Sequence, residues 1–314
     1  MSFWRDKTVL VTGPAGFAGS HLAEHLSRLG ANVRCFIREG ETLPITAARM
    51  TTVIGDIQDY QSLLQAFEHV DVAFHLAAIT LIPEARTDVF KTFNVNTLGT
   101  LNFLMAGKEK NAGKLVYVST CQVYGKQTRF PLSERDLPHP IDIYSASKLA
   151  GEDLAISFSE TEKVNVSISR AFNHYGPRQR HDFLIPGVID RLLHGKELEL
   201  HNPRSTRDFS YVDDIVRGYA LLAEKGRSGE VYHFCSGIER SIEDVVHTIA
   251  KVGQFNAKIN RSSKPNVEVS RSVGNYSKAK KELGWEPSIG FEEGIRKTLA
   301  WYRTNLTGAK SYSP

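Results

Sequence analysis

Short β-branched runs alternate with longer amphipathic stretches over roughly the first half of the chain, and this alternation is the feature that most constrains the fold. The runs that predict strands fall at residues 8–12, 32–37, 51–55, 71–76, 115–119 and 164–170. Between them, apolar residues recur every three or four positions near 17–29, 59–68, 84–110 and 143–160, which predicts helices. Strands that alternate with helices pair in parallel and carry helices on both faces. We therefore predict an α/β fold, a doubly wound parallel Rossmann sheet.

The regular alternation ends near residue 171, where glycine and proline begin to interrupt the chain. Helical patterns recur only near 183–194, 241–252 and 291–303. We predict a Rossmann domain over residues 1–171 with a returning segment at about 207–236, and a smaller C-terminal lobe over 172–206 and 237–314. This lobe would cover the carboxyl ends of the strands, where open α/β sheets bind their ligands.

Composition and charge narrow the classes of function. The chain has 314 residues, 41% of them hydrophobic, so it can bury the core of an enzyme-sized fold. The densest basic stretch, Lys108–Lys114, ends a helical pattern, where cations are stabilised, and we expect no nucleic-acid partner. No apolar run is long enough to cross a bilayer, and we expect no membrane association.

Cysteine usage and the first residues indicate the compartment. Cys35, Cys121 and Cys235 are widely spaced and odd in number, which disfavours a disulfide framework. The first residues, MSFWRDK, lack the apolar core of a signal peptide. Both features predict a cytoplasmic protein.

One segment imitates a metal site. HLAEH, from His21 to His25, matches the spacing of an inverted zinc-protease motif. A zinc site needs a third ligand and an open face, whereas this helix has to pack on the sheet. We therefore expect no metal, and we place both histidines on the helix surface.

A glycine-rich loop follows the first predicted strand. In TGPAGFAGS, three glycines at three-residue spacing open a helix. Glycines there let the backbone approach a pyrophosphate, which the free N–H groups and the positive dipole end of the helix stabilise. The spacing alone is weak evidence, but its place on the first β-to-α turn predicts a dinucleotide cofactor. The residues expected to contact it are Gly13, Gly16, Phe17 and Gly19.

The ends of the next strands bear on the choice of cofactor. Strand two ends in Ile37 and Arg38 rather than in the carboxylate that grips the adenosine ribose, and an arginine there suits a 2′-phosphate. We predict NAD(P) with NADP slightly favoured, while Glu39 and simple surface exposure of Arg38 leave NAD open. Further cofactor contacts are expected from the segments GDI and FHLAA, at Asp56, Ile57, Leu76, Ala77 and Ala78.

The segment YSASK places Tyr144 and Lys148 four residues apart at the start of a predicted helix. Residues at this spacing share a helix face, and an ammonium beside a phenol stabilises the phenolate and lowers its pKa from about 10. A lone Tyr-x-x-x-Lys is common in proteins. Here it follows a dinucleotide loop and a strand that ends in Ser119 and Thr120, and this combination is far more specific for a catalytic base.

Motifs in a fixed order run through nearly the whole chain: TGPAGFAGSHL, GDI, FHLAA, NVNTLGTLN, VSTCQVYG, YSASKLAGE, SRAFNHYGPRQ, STRDFSYVDDIVRG and SKAKKELGWEP. In these motifs the chain resembles the extended short-chain dehydrogenase/reductase family, in particular its nucleotide-sugar epimerases, dehydratases and ketoreductases. The resemblance implies an enzyme that binds a nucleotide-diphosphate sugar in the smaller lobe. It also suggests a homodimer, in which helices near 90–110 and 143–160 pair into a four-helix bundle.

The resemblance also implies roles for individual residues. Tyr144 would be the base, Lys148 would lower its pKa and hold the nicotinamide ribose, and Thr120 would hydrogen-bond the reacting sugar hydroxyl. Two arginines would clamp the diphosphate, a task that suits the guanidinium fork. The remaining contacts are expected with the cofactor at Asn96 and Ser119, and with the sugar nucleotide at Gln122, Asn173, Arg207 and Arg271.

The stretch VSTCQVYG bears on the type of reaction. Family members that eliminate water from the sugar resemble one another in carrying an acidic residue at one or both positions after the Ser/Thr, and here these positions hold Cys121 and Gln122. An amide cannot accept the proton, and a thiol with a reference pKa of about 8.5 is a marginal acid. We therefore predict redox chemistry at C4 of a nucleotide-linked hexose, by a 4-epimerase or a 4-ketoreductase.

Two alternatives stay open. A dehydratase similar to GDP-mannose 4,6-dehydratase could use Cys121 as an unusual acid or base, although a small buried residue beside the nicotinamide is the simpler explanation of this thiol. A non-catalytic dinucleotide-sensing protein is the alternative from another class. The joint presence of Thr120, Tyr144 and Lys148 argues against it, because a mere binder has little need of a base.

Overall fold

The computed structural model describes residues 3–262 and 269–306; residues 1–2, 263–268 and 307–314 of the predicted domains lie outside the described residues. The strands within the described ranges are β1 (Thr8–Thr12), β2 (Asn32–Ile37), β3 (Met50–Ile54), β4 (Val72–His75), β5 (Lys114–Thr120), β6 (Val166–Ala171), β7 (Asn173–Tyr175), β8 (Leu198–His201), β9 (Thr206–Tyr211), β10 (Val231–Phe234), β11 (Glu239–Ser241) and β12 (Ile259–Ser262). The helices are α1 (Phe17–Arg28), α2 (Tyr60–Ala66), α3 (Ile82–Thr87), α4 (Val89–Phe93), α5 (Gly99–Glu109), α6 (Ile143–Thr161), α7 (Leu184–Leu193), α8 (Val212–Lys225), α9 (Ile242–Gly253), α10 (Ser277–Leu283) and α11 (Phe291–Leu306).

The central sheet has seven parallel strands in the order β10-β6-β5-β4-β1-β2-β3. β1 lies inside the sheet, and the chain builds outward from it in both directions. The strand order therefore reverses between β1 and β4, and ligands of such sheets bind at the carboxyl ends beside this point. This architecture confirms the predicted doubly wound Rossmann sheet.

Helices cover both faces of the sheet, so its inner strands are buried on both sides and read as continuous hydrophobic runs. On one face, the region of α2, α5 and α6 buries Leu63, Phe67, Phe103 and Ala155 against the strands. On the other face, α1 and α8 pack together and join a core that extends into α7, α9 and α11. Both helix layers lie on the faces of the sheet, and the smaller lobe lies at the carboxyl ends of the strands.

Two small sheets, β11-β9-β7 and β12-β8, form the part of the fold that lies beyond these ends. Asp208 on β9 links this part to the segments after β10 and around Gly274. Its carboxylate accepts the N–H groups of Ser236 at 2.7 Å, Gly237 at 2.9 Å and Gly274 at 3.3 Å. After β9, helix α8 returns the chain to the face of the central sheet and β10 adds its edge strand. The predicted returning segment thus begins in a small sheet and ends in the large one.

The region predicted as one helix near 84–110 is interrupted. It contains α3, α4, a π-helical turn over Asn94–Leu98, and α5. The break falls at Asp88, whose backbone is extended (φ −135°, ψ 90°) and whose carboxylate accepts the Lys91 N–H at 2.9 Å. An aspartate that caps a new helix competes with continuation of the previous one. The prediction of a single helix was wrong because apolar spacing does not detect such a cap.

His21 corrects a second expectation. Its side chain is buried, with the residue 7% exposed, and Nε2 lies 2.9 Å from the Pro177 carbonyl oxygen. Burial lowers the pKa of His21 to about 4, so the neutral ring donates its Nε2 proton to that carbonyl. The placement of His21 on the helix surface was wrong, because the segment after β7 folds over α1.

The described residues form neither a metal site nor a membrane span. Among the described residues, no three His, Cys, Asp or Glu side chains come together as a metal ion would require. None of the described helices combines the length and the apolar character that a bilayer-spanning helix needs.

Candidate active site

A cleft of about 820 Å³ opens at the carboxyl ends of the central strands. It extends from the loop after β1 to the irregular segment after β7. Asn96 and Arg271 lie outside its lining. The other predicted site residues are brought together in its walls: Gly13, Gly16, Phe17, Gly19, Arg38, Asp56, Ile57, Leu76, Ala77, Ala78, Ser119, Thr120, Cys121, Gln122, Tyr144, Lys148, Asn173 and Arg207.

The loop after β1 leaves no room for side chains at two of its glycines. Gly13 adopts φ +70°, and a Cβ there would lie 2.9 Å from the Ala77 backbone nitrogen. A Cβ on Gly19 would lie 2.1 Å from the Gly13 carbonyl oxygen. Gly16 is the N-cap of α1 and supplies no side-chain hydrogen bond to the first turn of the helix. The N–H groups of that turn are therefore available to an anionic ligand. The loop therefore fits the pyrophosphate of a dinucleotide.

A buried hydrogen-bond chain holds the ends of β1 and β4 behind this loop. His75 Nδ1 lies 2.8 Å from the Thr12 hydroxyl, and Nε2 lies 3.1 Å from the Thr100 hydroxyl. Thr100 donates its own proton to the Asn96 carbonyl at 2.6 Å, so Nε2 carries the imidazole proton and Thr12 donates to Nδ1. Burial lowers the pKa of His75 well below its usual value, which keeps the ring neutral. Thr12 in turn accepts the Ala77 N–H at 3.2 Å and fixes the cleft wall there.

Asn96 lies behind the cleft wall, in the π-helical turn. Its side-chain oxygen accepts the Ile79 N–H at 2.8 Å, and its amide donates to the Ile79 carbonyl at 3.0 Å and to the Ser147 hydroxyl at 2.9 Å. Ile79 lines the cleft, and Ser147 lies on α6 between Tyr144 and Lys148. Asn96 therefore holds two parts of the site in place, and its contact with the cofactor stays a prediction.

Arg38 borders the cleft, with its side chain 62% exposed, and is engaged by Glu41. Its Nε donates to Glu41 Oε1 at 3.0 Å, and Nη2 donates to the same oxygen at 2.5 Å. Glu41 also accepts the Arg38 backbone N–H at 3.0 Å and lines the cleft itself. Sequence reasoning missed Glu41. A 2′-phosphate would have to compete with this carboxylate for the guanidinium.

Thr120, Tyr144 and Lys148 are all buried and border the same cleft. Thr120 ends β5, and α6 begins one residue before Tyr144. Asp142 and Ser145 form a capping box at this helix end, in which the Asp142 carboxylate accepts the Ser145 N–H at 2.9 Å. The cap fixes the first turn of α6, and with it the positions of Tyr144 and, one turn later, Lys148.

Burial governs the protonation of both groups. It raises the pKa of Tyr144, and a hydrogen bond with the Thr120 hydroxyl acts in the opposite direction. It lowers the pKa of Lys148 to about 7, and the Glu152 carboxylate acts against this shift. The phenol is therefore protonated at neutral pH, while the lysine is near its titration midpoint. The predicted lowering of the Tyr144 pKa by Lys148 stays a prediction.

Cys121 and Gln122 begin a 3₁₀ turn over Cys121–Tyr124, which Thr120 caps by accepting the Gln122 N–H at 3.2 Å. Burial raises the pKa of Cys121 to about 12, so its thiol stays protonated. The side chain packs in an apolar cluster with Val123 and Phe172. This environment suits a space-filling residue better than an acid or a base.

The side chains predicted for the sugar nucleotide fall into two groups. Asn173 and Arg207 line the cleft. Arg271 instead forms a forked ion pair with Glu239, Nε to Oε1 at 2.8 Å and Nη2 to Oε2 at 2.8 Å. Its guanidinium also lies 4.5 Å from the centre of the Phe130 ring. Glu239 thus engages the edge of the Arg271 guanidinium that Nε and Nη2 form.

Sequence reasoning missed several lining residues in the segment after β7. This segment has no helical or strand period that could assign its side chains to the cleft. The available signal was the motif YGPRQ, in which a glycine-proline turn precedes polar residues. The missed residues of this segment are Arg178, whose φ is +68°, Gln179 and Phe183. Also missed were His174 in β7, whose ring stacks on Phe17 with centres 5.6 Å apart, and His201 at the end of β8.

The parallel sheet, the glycine loop and the buried Thr120, Tyr144 and Lys148 together define an extended short-chain dehydrogenase/reductase of the kind that acts on nucleotide sugars. A family model described as GDP-mannose 4,6 dehydratase matches residues 10–298, and the chain belongs to this family. It is 31% identical over 310 residues to the GDP-6-deoxy-D-mannose reductase of Pseudomonas aeruginosa, with 95% of this chain and 98% of that protein covered. It is 30% identical over 323 residues to the dTDP-D-glucose 4,6-dehydratase of Homo sapiens, with 97% and 92% covered.

Solved structures share the whole architecture. A UDP-glucose 4-epimerase from Thermotoga maritima, with UDP-glucose, has a TM-score of 0.91 at 27% identity and covers 95% of this chain and 99% of its own. A dTDP-glucose 4,6-dehydratase from Streptomyces venezuelae, with NAD bound, has a TM-score of 0.89 at 29% identity and covers 96% and 98%. The chain is therefore an NAD(P)-dependent enzyme of the nucleotide-sugar epimerase and dehydratase type. Because these relatives include a reductase, dehydratases and an epimerase, the reaction has to be argued from the site.

Proposed function

We propose that the enzyme catalyses redox chemistry at C4 of a nucleotide-diphosphate hexose, as a 4-ketoreductase or a 4-epimerase. The observation that carries this proposal is the set of side chains around Tyr144. A hydroxyl, a phenol and an amine border one cleft, and the two positions after Thr120 hold a protonated thiol and an amide. Hydride chemistry at a carbinol needs the first three groups. Elimination needs a carboxylate or another proton carrier at the last two positions, and they do not supply one.

The chain's own residues would manage the proton and the orientation of the sugar. The nicotinamide, when bound, supplies or accepts the hydride. Tyr144 donates its phenolic proton to a ketone oxygen during reduction and takes the hydroxyl proton during oxidation. Because burial raises its pKa, Tyr144 is held in the protonated form that reduction consumes. Thr120, already hydrogen-bonded to Tyr144, would hold the same substrate oxygen in place.

The smaller lobe, 172–206 and 237–314, is proposed to bind the nucleotide-diphosphate part of the substrate. Asn173 and Arg207 border the cleft on this side. The guanidinium of Arg207 suits a diphosphate because its N–H groups match phosphate oxygens in pairs. Arg271 is proposed to join Arg207 there, and its Nε and Nη2 are engaged by Glu239.

We propose that the cofactor is NAD(P), with NADP slightly favoured over NAD. Arg38 supports NADP because it borders the cleft and no carboxylate ends β2. Glu41 reduces this advantage because it occupies the guanidinium and repels a 2′-phosphate. The balance between these two side chains sets the preference.

A 4,6-dehydratase is the second candidate, and the dehydratases among the relatives favour it. It would need Cys121 as acid or base in the elimination. A base has to be deprotonated before it can take a proton from carbon, whereas burial raises the pKa of Cys121 to about 12 and keeps its thiol protonated. This protonation disfavours the elimination.

Incubation with GDP-, UDP-, dTDP- and CDP-hexoses, and with their 4-keto-6-deoxy forms, tests the proposal. We expect oxidation of NAD(P)H by a 4-keto sugar, or inversion at C4 of a plain hexose, followed by cofactor absorbance and product NMR. Release of a 4-keto-6-deoxy sugar from a plain hexose would contradict the proposal and identify a dehydratase.

Two variants serve as controls. Tyr144→Phe should bind the cofactor and lose turnover by about a hundredfold or more, as loss of a general acid or base does. Cys121→Ser should keep its turnover if the thiol only fills space. Cofactor binding by the wild type with neither a sugar-dependent absorbance change nor a new sugar in the product NMR spectrum would instead indicate the non-catalytic, dinucleotide-sensing alternative.

We also propose a homodimer that pairs the helices of residues 90–110 and 143–160. Exposed apolar side chains lie along the helical segment 82–109, against which α6 packs. They are Val89, Phe90, Leu98 and Met105, of which Phe90 is 86% exposed. Contiguous exposed apolar surface marks interaction sites, and a second copy could cover it in a four-helix bundle.

A cytoplasmic location is proposed on the state of the cysteines. Cys35, Cys121 and Cys235 are all free and buried. Burial raises the pKa of each thiol, so all three stay protonated and unreactive. Free thiols are typical of a reducing compartment.

A further inference from the structure

A buried carboxylate lies one turn beyond the catalytic lysine. Glu152 follows Lys148 on α6 by four residues and is fully buried. Arg170 on β6, only 4% exposed, forks this carboxylate: its Nε lies 3.0 Å from Oε1 and 3.1 Å from Oε2, and its Nη2 also donates to Oε1. Charged hydrogen bonds in this geometry are strong, and burial protects them from screening by salt.

Arg170 extends the buried line to the turn that follows Thr120. Its Nη1 donates to the Tyr124 hydroxyl at 2.7 Å, and its guanidinium lies 4.8 Å from the centre of the Tyr124 ring. The same hydroxyl lies 2.6 Å from His233 Nε2 and donates to the Ser133 carbonyl at 3.0 Å. The line therefore joins α6, the turn after β5, β6 and β10, which include the elements that carry the catalytic side chains.

The charges along this line do not balance. Lys148 and Arg170 are both cations when protonated, and the Glu152 carboxylate, hydrogen-bonded to Arg170 and one turn from Lys148 on α6, is the anion that acts on both. His233 adds no charge, because burial lowers its pKa to about 3. Because the Glu152 carboxylate also interacts with Arg170, it stabilises the ammonium form of Lys148 less than an unshared carboxylate would.

The other titratable groups around Lys148 do not compensate for this. Tyr117 on β5 lies under the ammonium, 4.3 Å from ring centre to Nζ, and donates its hydroxyl to the Lys148 carbonyl at 2.9 Å. Burial raises the pKa of Tyr117 well above its usual value and lowers that of His75 on β4, so both are neutral. Tyr144 on α6 and Cys121 in the 3₁₀ turn are also neutral, because burial raises the pKa of both groups and keeps them protonated. The charged side chains of Glu84 on α3, Lys91 on α4 and Asp153 on α6 are exposed, so water screens their effect on Lys148.

We propose that Glu152 is a positioning residue that sets the charge of Lys148, and that Arg170 limits this effect by sharing the carboxylate. Removal of the Glu152 charge should disfavour the ammonium, and removal of the Arg170 charge should favour it. The opposing effects would hold the lysine where it changes charge within the physiological pH range. The consequence for the reaction rests on the proposed function, whereas the charge of Lys148 does not.

An NMR titration of the whole protein, labelled with carbon-13 at lysine Cε, measures the charge of Lys148 directly. Loss of one signal in Lys148→Arg assigns it. We expect Glu152→Gln to lower the titration midpoint of Lys148 by about one pH unit and Arg170→Gln to raise it by about one. The double variant removes both charges and should return the midpoint close to that of the wild type. Opposite shifts that cancel indicate a charge effect, because a purely structural role predicts no such cancellation.

A second arginine variant keeps the test decisive if Arg170→Gln does not fold. Arg170→Lys retains a cation that cannot fork the carboxylate, so we expect a smaller rise of the midpoint, and a fall contradicts the proposal. An unchanged midpoint in Glu152→Gln also overturns it, as do shifts of equal sign in the two single variants. No substrate is needed, so a failure here is distinct from a failure to find a nucleotide-sugar reaction. Where the reaction is found, the pH profile of kcat should move in the same directions, with the KM for the sugar unchanged.

Discussion

At the mouth of the cleft, Glu41 competes for the guanidinium of Arg38 with any phosphate that enters. The two side chains are partly exposed, so their ion pair contributes about 1 kcal/mol or less and an incoming anion can displace it. The carboxylate would then lie beside the 2′-phosphate and repel it. NAD has no phosphate at this position and should be nearly indifferent to Glu41.

We therefore expect Glu41→Gln to tighten the binding of NADPH by about threefold to tenfold and to leave that of NADH within about twofold. Fluorescence titration of each reduced cofactor checks this, and the gain should shrink as salt is added. Arg38→Met is the matched control, since it should weaken NADPH alone. An equal change in the affinities for both cofactors would show that Arg38 and Glu41 do not determine the preference between NADP and NAD.

At the scale of elements, the turn between β1 and α1 depends on backbone that touches backbone. The Cβ of an alanine at position 19 would lie 2.1 Å from the Gly13 carbonyl oxygen, a distance that no rotamer can relieve. The start of α1 would have to move away from β1, and the N–H groups offered to a pyrophosphate would move with it. Stability and cofactor binding should therefore fall together.

We expect Gly19→Ala to lower the affinity for both cofactors by about tenfold or more and the free energy of unfolding by about 2–3 kcal/mol. Cofactor titration and urea unfolding measure the two effects. Gly290→Ala is the control, because a Cβ there meets no atom of the described chain within 4 Å, and both quantities should stay near wild type. A Gly19→Ala protein that binds cofactor normally would show that the pyrophosphate does not sit on this turn.

Two helices escaped prediction for reasons that lie in their own sequences. α10 is only seven residues long, which is too short for an apolar period to be recognised. α8 has no side-chain cap at Tyr211 and contains Gly218, a residue that weakens a helix. A Cβ on Gly218 would lie 2.6 Å from the Phe234 ring, so packing against β10 requires the glycine that local propensity disfavours.

At the scale of the whole molecule, the apolar side chains on segment 82–109 bear on the state of assembly. We expect the wild type to be a dimer and Phe90→Glu or Leu98→Glu to be monomeric, because a buried unpaired carboxylate costs more than the lost apolar contact contributes. Light scattering after gel filtration measures the mass. Leu137→Glu is the control, since Leu137 is 82% exposed in a loop outside this segment and should leave the dimer intact. A monomeric wild type would refute the proposed interface.

The order of amino acids by itself determined the parallel sheet, the glycine loop after β1 and the placement of Tyr144 and Lys148 one turn apart on α6. Each of these follows from residues close in sequence, through a period, a turn or a four-residue spacing. Only the tertiary structure decided that Arg271 pairs with Glu239, that His21 is covered by the segment at Pro177, and that Arg170 holds Glu152 behind the lysine. The partners in these contacts come from elements far apart in the chain. Their meeting depends on how those elements pack, which no local pattern encodes.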